Sequence, residues 1–120
     1  MYEVAVERDF PAHHAITIGG DREPTHLHRW HVCVVVAGRE LDEDGLLCDF
    51  HVLQERLNCI LAPWKGRDLN EVTPFDRINP TAEHVARHIA EAIAPGLPEG
   101  VHVARVSVTE AEGCTATYRP

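Results

Sequence analysis

The sequence His26-Leu27-His28 is the first feature that can do chemistry. In an extended segment, residues i and i+2 point the same way. Both imidazoles would then face one side and Leu27 the other. Two nitrogens on one face, with room for a third ligand, suit a catalytic zinc site of three protein ligands and one open position. Neutral imidazole also suits other divalent metals, so spacing alone favours zinc without fixing it. The third ligand must come from elsewhere, and His13 and His14 are the candidates. The competing reading is a pair of exposed loop histidines. Nine histidines in 120 residues, three of them at His26, His28 and His31, make the local density unusual.

Positioning such a site needs a small globular core. A chain of 120 residues with a 44% hydrophobic fraction suits one domain over residues 1–120. A core of that size gains from oligomerisation. The formal net charge is −8 and no Lys/Arg cluster stands out, which argues against a nucleic-acid partner. No apolar run reaches membrane-spanning length, so no membrane partner is expected. The opening "MYEVAVERDF" lacks the basic and apolar regions of a secretion signal, and a cytoplasmic location is expected. Cys33, Cys48, Cys59 and Cys114 have no C-x-x-C spacing. They read as buried free thiols.

The alternation in "YEVAVE" predicts a first strand with one buried face, followed by a long irregular connection from Arg8 to Thr25. "RWHVCVVVAGREL" predicts a strand buried on both faces, and "DEDG" a turn. Phe50, Leu53, Leu57, Ile60 and Leu61 recur at helical spacing after Asp49, a candidate N-cap, and Pro63 stops that helix. A second helix is expected from Asn79 as cap and Pro80 as first helical residue to Pro95-Gly96, with Val85, Ile89 and Ile93 as its apolar stripe. Val101, Val103, Val106 and Val108 suggest a strand with a bulge. "EAEG" turns it into a last strand, Cys114 to Tyr118. The order ββααββ predicts an α+β fold: an antiparallel sheet with two helices on one face.

Several short motifs carry a family resemblance over nearly the whole chain. These are Phe10-x-x-x-His14, His26-Leu27-His28, Asp49-Phe50, Leu69-Asn70, Asn79-Pro80-Thr81-x-Glu83 and Val106-x-Val108-x-Glu110. In order and spacing the sequence resembles the tetrahydropterin synthases, 6-pyruvoyl-tetrahydropterin synthase and its bacterial relative 6-carboxy-tetrahydropterin synthase. The resemblance implies the T-fold, a four-stranded antiparallel sheet with two helices. It also implies a homo-oligomeric barrel, commonly a hexamer built as a dimer of trimers. It implies Zn2+ held by His14, His26 and His28, with His13 a neighbour. Glu110 resembles the pterin anchor; a carboxylate can accept two parallel hydrogen bonds from a guanidine-like N–H pair. Thr81 aligns with a threonine that helps hold the ring, and helix capping is its other role.

The resemblance breaks at the proton-transfer groups. The family uses a cysteine just before its H-G-H and an Asp-His pair in L-D-H-x-x-L-N. Here the loop reads "GGDREPTHLH", and Lys65 and Gly66 take the Asp-His positions. General acid–base groups are worth roughly 10²- to 10⁴-fold each, so ordinary tetrahydropterin synthesis should be slow. Glu23 is a candidate replacement, three residues before His26, with Asp21 as the neighbouring option. Some family members use glutamate there and shorten the pterin side chain to a hydroxymethyl group. Lys65 can act as a base or Schiff-base amine if burial lowers its pKa, or serve as a phosphate-binding or surface lysine. His31 and His51 stay unassigned, and Cys33 and Cys48 read as packing residues.

The expected function is a zinc-dependent lyase acting on a dihydropterin, such as a dihydroneopterin triphosphate-like substrate, or on a related heterocycle. The alternative is a non-catalytic pterin- or purine-binding oligomer that keeps the metal and ring anchor. A third reading puts the zinc to work as Lewis acid on a non-pterin metabolite.

Overall fold

A computed structural model describes residues 1–120. Strand β1 spans Tyr2–His14, and a short ribbon follows, β2 at Thr17–Ile18 and β3 at Asp21–Arg22. Then come β4 at His26–Gly38, helix α1 at Phe50–Leu61 and helix α2 at Ala82–Ile93. Strands β5, His102–Ala111, and β6, Cys114–Tyr118, close the chain. The main sheet has the order β1-β4-β5-β6, and every pairing is antiparallel. Both helices pack on it, α1 against β1 and α2 against β5 and β6. The expected α+β layout holds. No helix is long and apolar enough to cross a membrane.

Strand β1 runs longer than its first alternation suggests. The segment expected as irregular connection is largely strand: inward alternation continues through Phe10, Ala12 and His14, all fully or almost fully buried. The pairing with β4 is unbroken from Tyr2↔Gly38 to His14↔His26. Pro11 does not interrupt it because β1 is an edge strand, where a missing N–H costs no ladder bond. The free Pro11 carbonyl accepts from Gly66 N at 2.7 Å.

In β4, Trp30, Val32, Val34 and Val36 face the helices. Burial on both faces holds only in the second half, where Val35 and Ala37 are also buried while Leu27 and Arg29 are exposed. The core continues through Leu53, Leu57 and Leu61 of α1 and Val85, Ile89 and Ile93 of α2. An aromatic line of Trp30, Phe10, Trp64 and Phe75 fills the end nearest the histidines, with successive ring centroids 6.0, 6.0 and 5.3 Å apart.

Two caps differ in outcome. Asp49 caps α1 as expected, accepting from His51 N at 2.8 Å. Helix α2 is capped by Thr81 rather than Asn79, and Pro80 lies before the cap. The Thr81 hydroxyl accepts from His84 N at 3.1 Å. The Asn79 side chain is occupied elsewhere, as described below. The expected bulge in β5 is present: Val35 pairs with Arg105 and Val36 with Val103, leaving Ala104 as the extra residue. The final turn is confined to Glu112 and Gly113. All four cysteines are free, but none is fully buried, and Cys59 and Cys114 are exposed, which corrects the expectation of buried thiols.

Candidate functional site

The unbroken β1–β4 register puts His14 directly opposite His26, and Ala12 opposite His28. Side chains alternate along strands, so these three histidines share the helix-facing side of the sheet with Trp30. His13 falls on the other face. From β5, Glu110 continues the inward row of Val106 and Val108. Its neighbours pair as Thr109↔Thr115 and Ala111↔Cys114, so Glu110 itself has no partner in β6. A bulge of this kind re-aims a side chain, and it lies here beside the histidines.

Ligand atoms of His14, His26, His28 and Glu110 all lie within 4.8 Å of one another. His14 Nε2 is 3.0 Å from His26 Nε2 and 3.3 Å from Glu110 Oε1. His28 Nε2 is 3.1 Å from Glu110 Oε1.

Backbone carbonyls orient two of the rings. His14 Nδ1 lies 2.9 Å from Pro80 O, and His26 Nδ1 lies 3.0 Å from Pro24 O. A carbonyl only accepts, so each Nδ1 carries the hydrogen, which leaves Nε2 as the atom turned to the centre. His28 Nε2 is buried without a hydrogen-bond partner; the Glu110 oxygen is close but out of line. Burial pushes the His28 pKa down, and Glu110 partly opposes that shift. Lone pairs and a carboxylate oxygen crowded this closely repel one another unless a cation or shared proton lies among them. The donor set therefore fits a divalent metal that accepts imidazole and carboxylate ligands.

Two asparagines pin the chain that leaves His14. Asn70 Oδ1 accepts from Ala15 N at 2.8 Å, and its Nδ2 donates to Ala15 O at 2.9 Å. Asn79 does the same for Thr17, with both bonds at 2.9 Å. Each side-chain amide thus imitates a strand partner for one residue. The Trp30 ring stands edge-on to His14, centroids 4.8 Å apart, and donates from Nε1 to Ala12 O at 3.2 Å. In the sequence, Leu69-Asn70 is a motif marker, and Asn79-Pro80 reads as a motif marker and a helix start. Their roles, and those of the Pro24 and Pro80 carbonyls, depend on contacts that no residue type announces.

The other candidates spread out. Glu23 stands at the neck of the β2–β3 ribbon, where its Oε1 accepts from Ile16 N at 3.1 Å. That oxygen is 3.7 Å from His26 Nδ1, on the side of the ring away from the converging nitrogens. Thr81 caps α2 immediately after Pro80. A cavity of about 260 Å³ adjoins Glu110, walled by Ala82, Glu83, Cys114, Thr115 and Ala116. Lys65 is exposed and lines a separate cavity of about 470 Å³ with Arg8, Asp9 and Asn58, so within one chain it is not brought to the histidines. Two further depressions, of about 580 and 400 Å³, lie along α1 and hold no comparable cluster of histidines.

Comparison with known proteins follows the same lines. The sequence model of the family "6-pyruvoyl tetrahydropterin synthase" matches residues 3–120. A dihydroneopterin monophosphate aldolase from Pyrococcus furiosus is 33% identical over 101 residues, covering 84% of this chain and 82% of the relative. The structure of Caenorhabditis elegans 6-pyruvoyl tetrahydropterin synthase superposes with a TM-score of 0.82 at 21% identity, covering 100% of this chain and 97% of that one. A Plasmodium vivax 6-pyruvoyltetrahydropterin synthase, solved as a catalytic-residue mutant with glutamate changed to alanine, gives a TM-score of 0.75 at 20% identity, covering 99% and 97%. The fold is that of these proteins.

Proposed function

The chain belongs to the 6-pyruvoyl tetrahydropterin synthase family, and from that premise we propose that it is a zinc-dependent lyase that shortens the side chain of a dihydropterin. The observation that carries this reading is the convergence of His14, His26, His28 and Glu110 within 4.8 Å, beside a cavity on the Glu110 side. His14, His26 and His28 would hold the ion. Bound there, it would supply Lewis acidity that makes a side-chain hydroxyl easier to deprotonate.

The remaining work falls to the chain's own groups. Glu110 would accept the paired N–H groups of the pterin ring, and Thr81 would support the ring while capping α2. Glu23 would take the hydroxyl proton from the second side-chain carbon. The bond between the first and second carbons then breaks, and the second carbon leaves as an aldehyde. Its bonding pair enters the conjugated C=N of the dihydropterin, and a proton returned to the first carbon leaves a hydroxymethyl group. Two observations support this direction over ordinary synthase chemistry. The loop before His26 offers Glu23 and no cysteine. The curated relative at 33% identity is an aldolase of dihydroneopterin monophosphate.

A homo-oligomeric barrel, a hexamer built as a dimer of trimers, is part of the proposal. The apolar residues Ile18 and Leu27 are 67% and 58% exposed and favour a covering partner.

One observation favours the second reading, a pterin-binding oligomer without turnover. Glu23 Oε1 is tied to Ile16 N and lies off the converging face of His26. The two readings separate in one experiment. Zinc-loaded protein is incubated with 7,8-dihydroneopterin, its monophosphate and its triphosphate, and aldehyde and pterin products are quantified. Aldehyde release is expected, and Glu23→Gln should lower it by roughly 10²- to 10⁴-fold while ring binding persists. Tight binding with no aldehyde from any of the three would assign the binding role instead.

A further inference from the structure

We propose that the Glu110 carboxylate is the fourth ligand of the resting metal site, and that the arriving substrate ring draws it off and so opens the coordination position. This rests on the metal reading above and adds to Glu110 a role before substrate binds.

Distances carry the first part. Glu110 Oε1 stands 3.3 Å from His14 Nε2 and 3.1 Å from His28 Nε2, close to the 3.0 Å that separates the His14 and His26 nitrogens. Zinc–nitrogen and zinc–oxygen bonds of about 2.0–2.2 Å in a tetrahedron put ligand atoms roughly 3.3–3.6 Å apart. The oxygen thus lies at about ligand-to-ligand spacing from two of the three imidazoles. A ring anchor waiting only for substrate has no reason to lie there.

Charge points the same way. The ion pairs of Glu110 are to His14 and His28 alone; no arginine or lysine meets it. Its side chain is only 25% exposed, so water does little of the solvation. A half-buried carboxylate with no fixed cation calls for a positive partner, and an ion among the histidines supplies one.

Backbone geometry gives the carboxylate somewhere to go. Glu110 is the unpaired residue of its bulge, free of the β6 ladder. It stands between the histidines and the cavity walled by Ala82, Thr115 and Ala116. A guanidine-like N–H pair presented in that cavity competes for the same oxygens with two charge-assisted hydrogen bonds. Without substrate the position stays closed, and no activated water forms there. With substrate it opens where the side chain arrives. The same residue thereby couples ring recognition to activation.

The test uses the whole protein with cobalt(II) as a spectroscopic substitute for zinc, and needs no turnover. Wild-type protein is expected to bind one equivalent and show the intense visible bands of a four-coordinate site. Glu110→Gln and Glu110→Asp, each confirmed as folded by circular dichroism, should bind cobalt at least about 10-fold more weakly. Their visible bands should be altered. Adding a pterin ring that bears no side chain should change the wild-type bands, and Glu110→Gln should not respond. The inference is overturned if both variants keep wild-type affinity and bands while His14→Ala abolishes binding, because the three histidines then hold the ion without Glu110. It falls together with the metal reading if wild type binds neither cobalt nor zinc. Aldehyde release plays no part in these readouts, so a failure of the lyase reading alone leaves them standing.

Discussion

Strand β4 carries histidines in two settings, one on each face, that share a residue type but differ in state. On the helix side, His26 and His28 turn their Nε2 atoms toward His14, and backbone carbonyls hold the Nδ1 hydrogens of His14 and His26. On the opposite face, His31 lies between two carboxylates, with Nδ1 bonded to Asp9 and Nε2 2.9 Å from Glu7. Both nitrogens of His31 meet acceptors, so the ring is stabilised as a double donor. Its pKa is raised, first by the Asp9 hydrogen bond and next by that of Glu7. A carbonyl partner leaves one lone pair free for a metal, whereas two carboxylate partners leave none. Density of histidine in a sequence therefore does not locate a site; what the back of each ring touches does.

The contrast can be broken from the side of the core. Trp30→Ala removes the ring that stands against His14 and the bond to Ala12 O. It should cost about 3–5 kcal/mol of stability in urea denaturation, in the range of buried aromatic truncations. Zinc affinity should fall with it, and the His31–Asp9 pair should survive in whatever fraction stays folded.

Next in size, His14→Ala should weaken zinc binding by about 100-fold or more, measured by competition with a chromophoric chelator. His31→Ala should leave zinc affinity within about twofold. Equal losses in the two variants would mean that the outer cluster also binds the ion.

Thr81→Ala tests whether the α2 cap supports the site. Loss of a threonine cap costs about 0.5–2 kcal/mol. Pro80, which orients His14, immediately precedes it. A modest fall in zinc affinity should accompany the loss of stability. Thr81→Ser, which keeps the hydroxyl, should restore most of both.

The smallest effect is the pH response of the outer pair. The raised pKa of His31 means its contribution is fully present below the unfolded-state value and is lost as pH rises through the folded-state value. Asp9 is lowered, chiefly by its hydrogen bond to His31, so its contribution holds above its unfolded value and fades as pH falls through the folded one. Between those limits the pair is ionised. NMR titration of the His31 ring should give a midpoint above that of free histidine, and Asp9→Asn should bring it down. Both groups are substantially exposed, so the effect on global stability should be small.

Much of the fold was legible because helical and strand periods were clear. The spacing of Leu53, Leu57 and Leu61, and the valine row of β4, needed no tertiary information. Strand β1 runs past its predicted end because Pro11 reads as a breaker unless the strand is known to be an edge. The sequence predicts the α2 cap at Asn79 because Asn and Thr both cap well; only the structure shows Asn79 engaged with Thr17. Of the site, His26 and His28 were readable from their two-residue spacing. His14 over His13, and Glu110, are what the resemblance implies; strand parity puts His14 and not His13 on the face of His26 and His28, and the β5 register shift lies at Glu110.

By itself, the sequence determined the order ββααββ, the inward faces of the helices and the pair of like-facing imidazoles. These follow from local periodicity, which is written residue by residue. Tertiary structure decided which residues meet: His14 with His26 through a full-length register, Glu110 through a bulge, and the His14 Nδ1 with the Pro80 carbonyl. Those contacts join residues far apart in the chain and use backbone atoms common to every residue. Residue types alone do not specify such pairings, whereas packing around Trp30 and the asparagine clamps does.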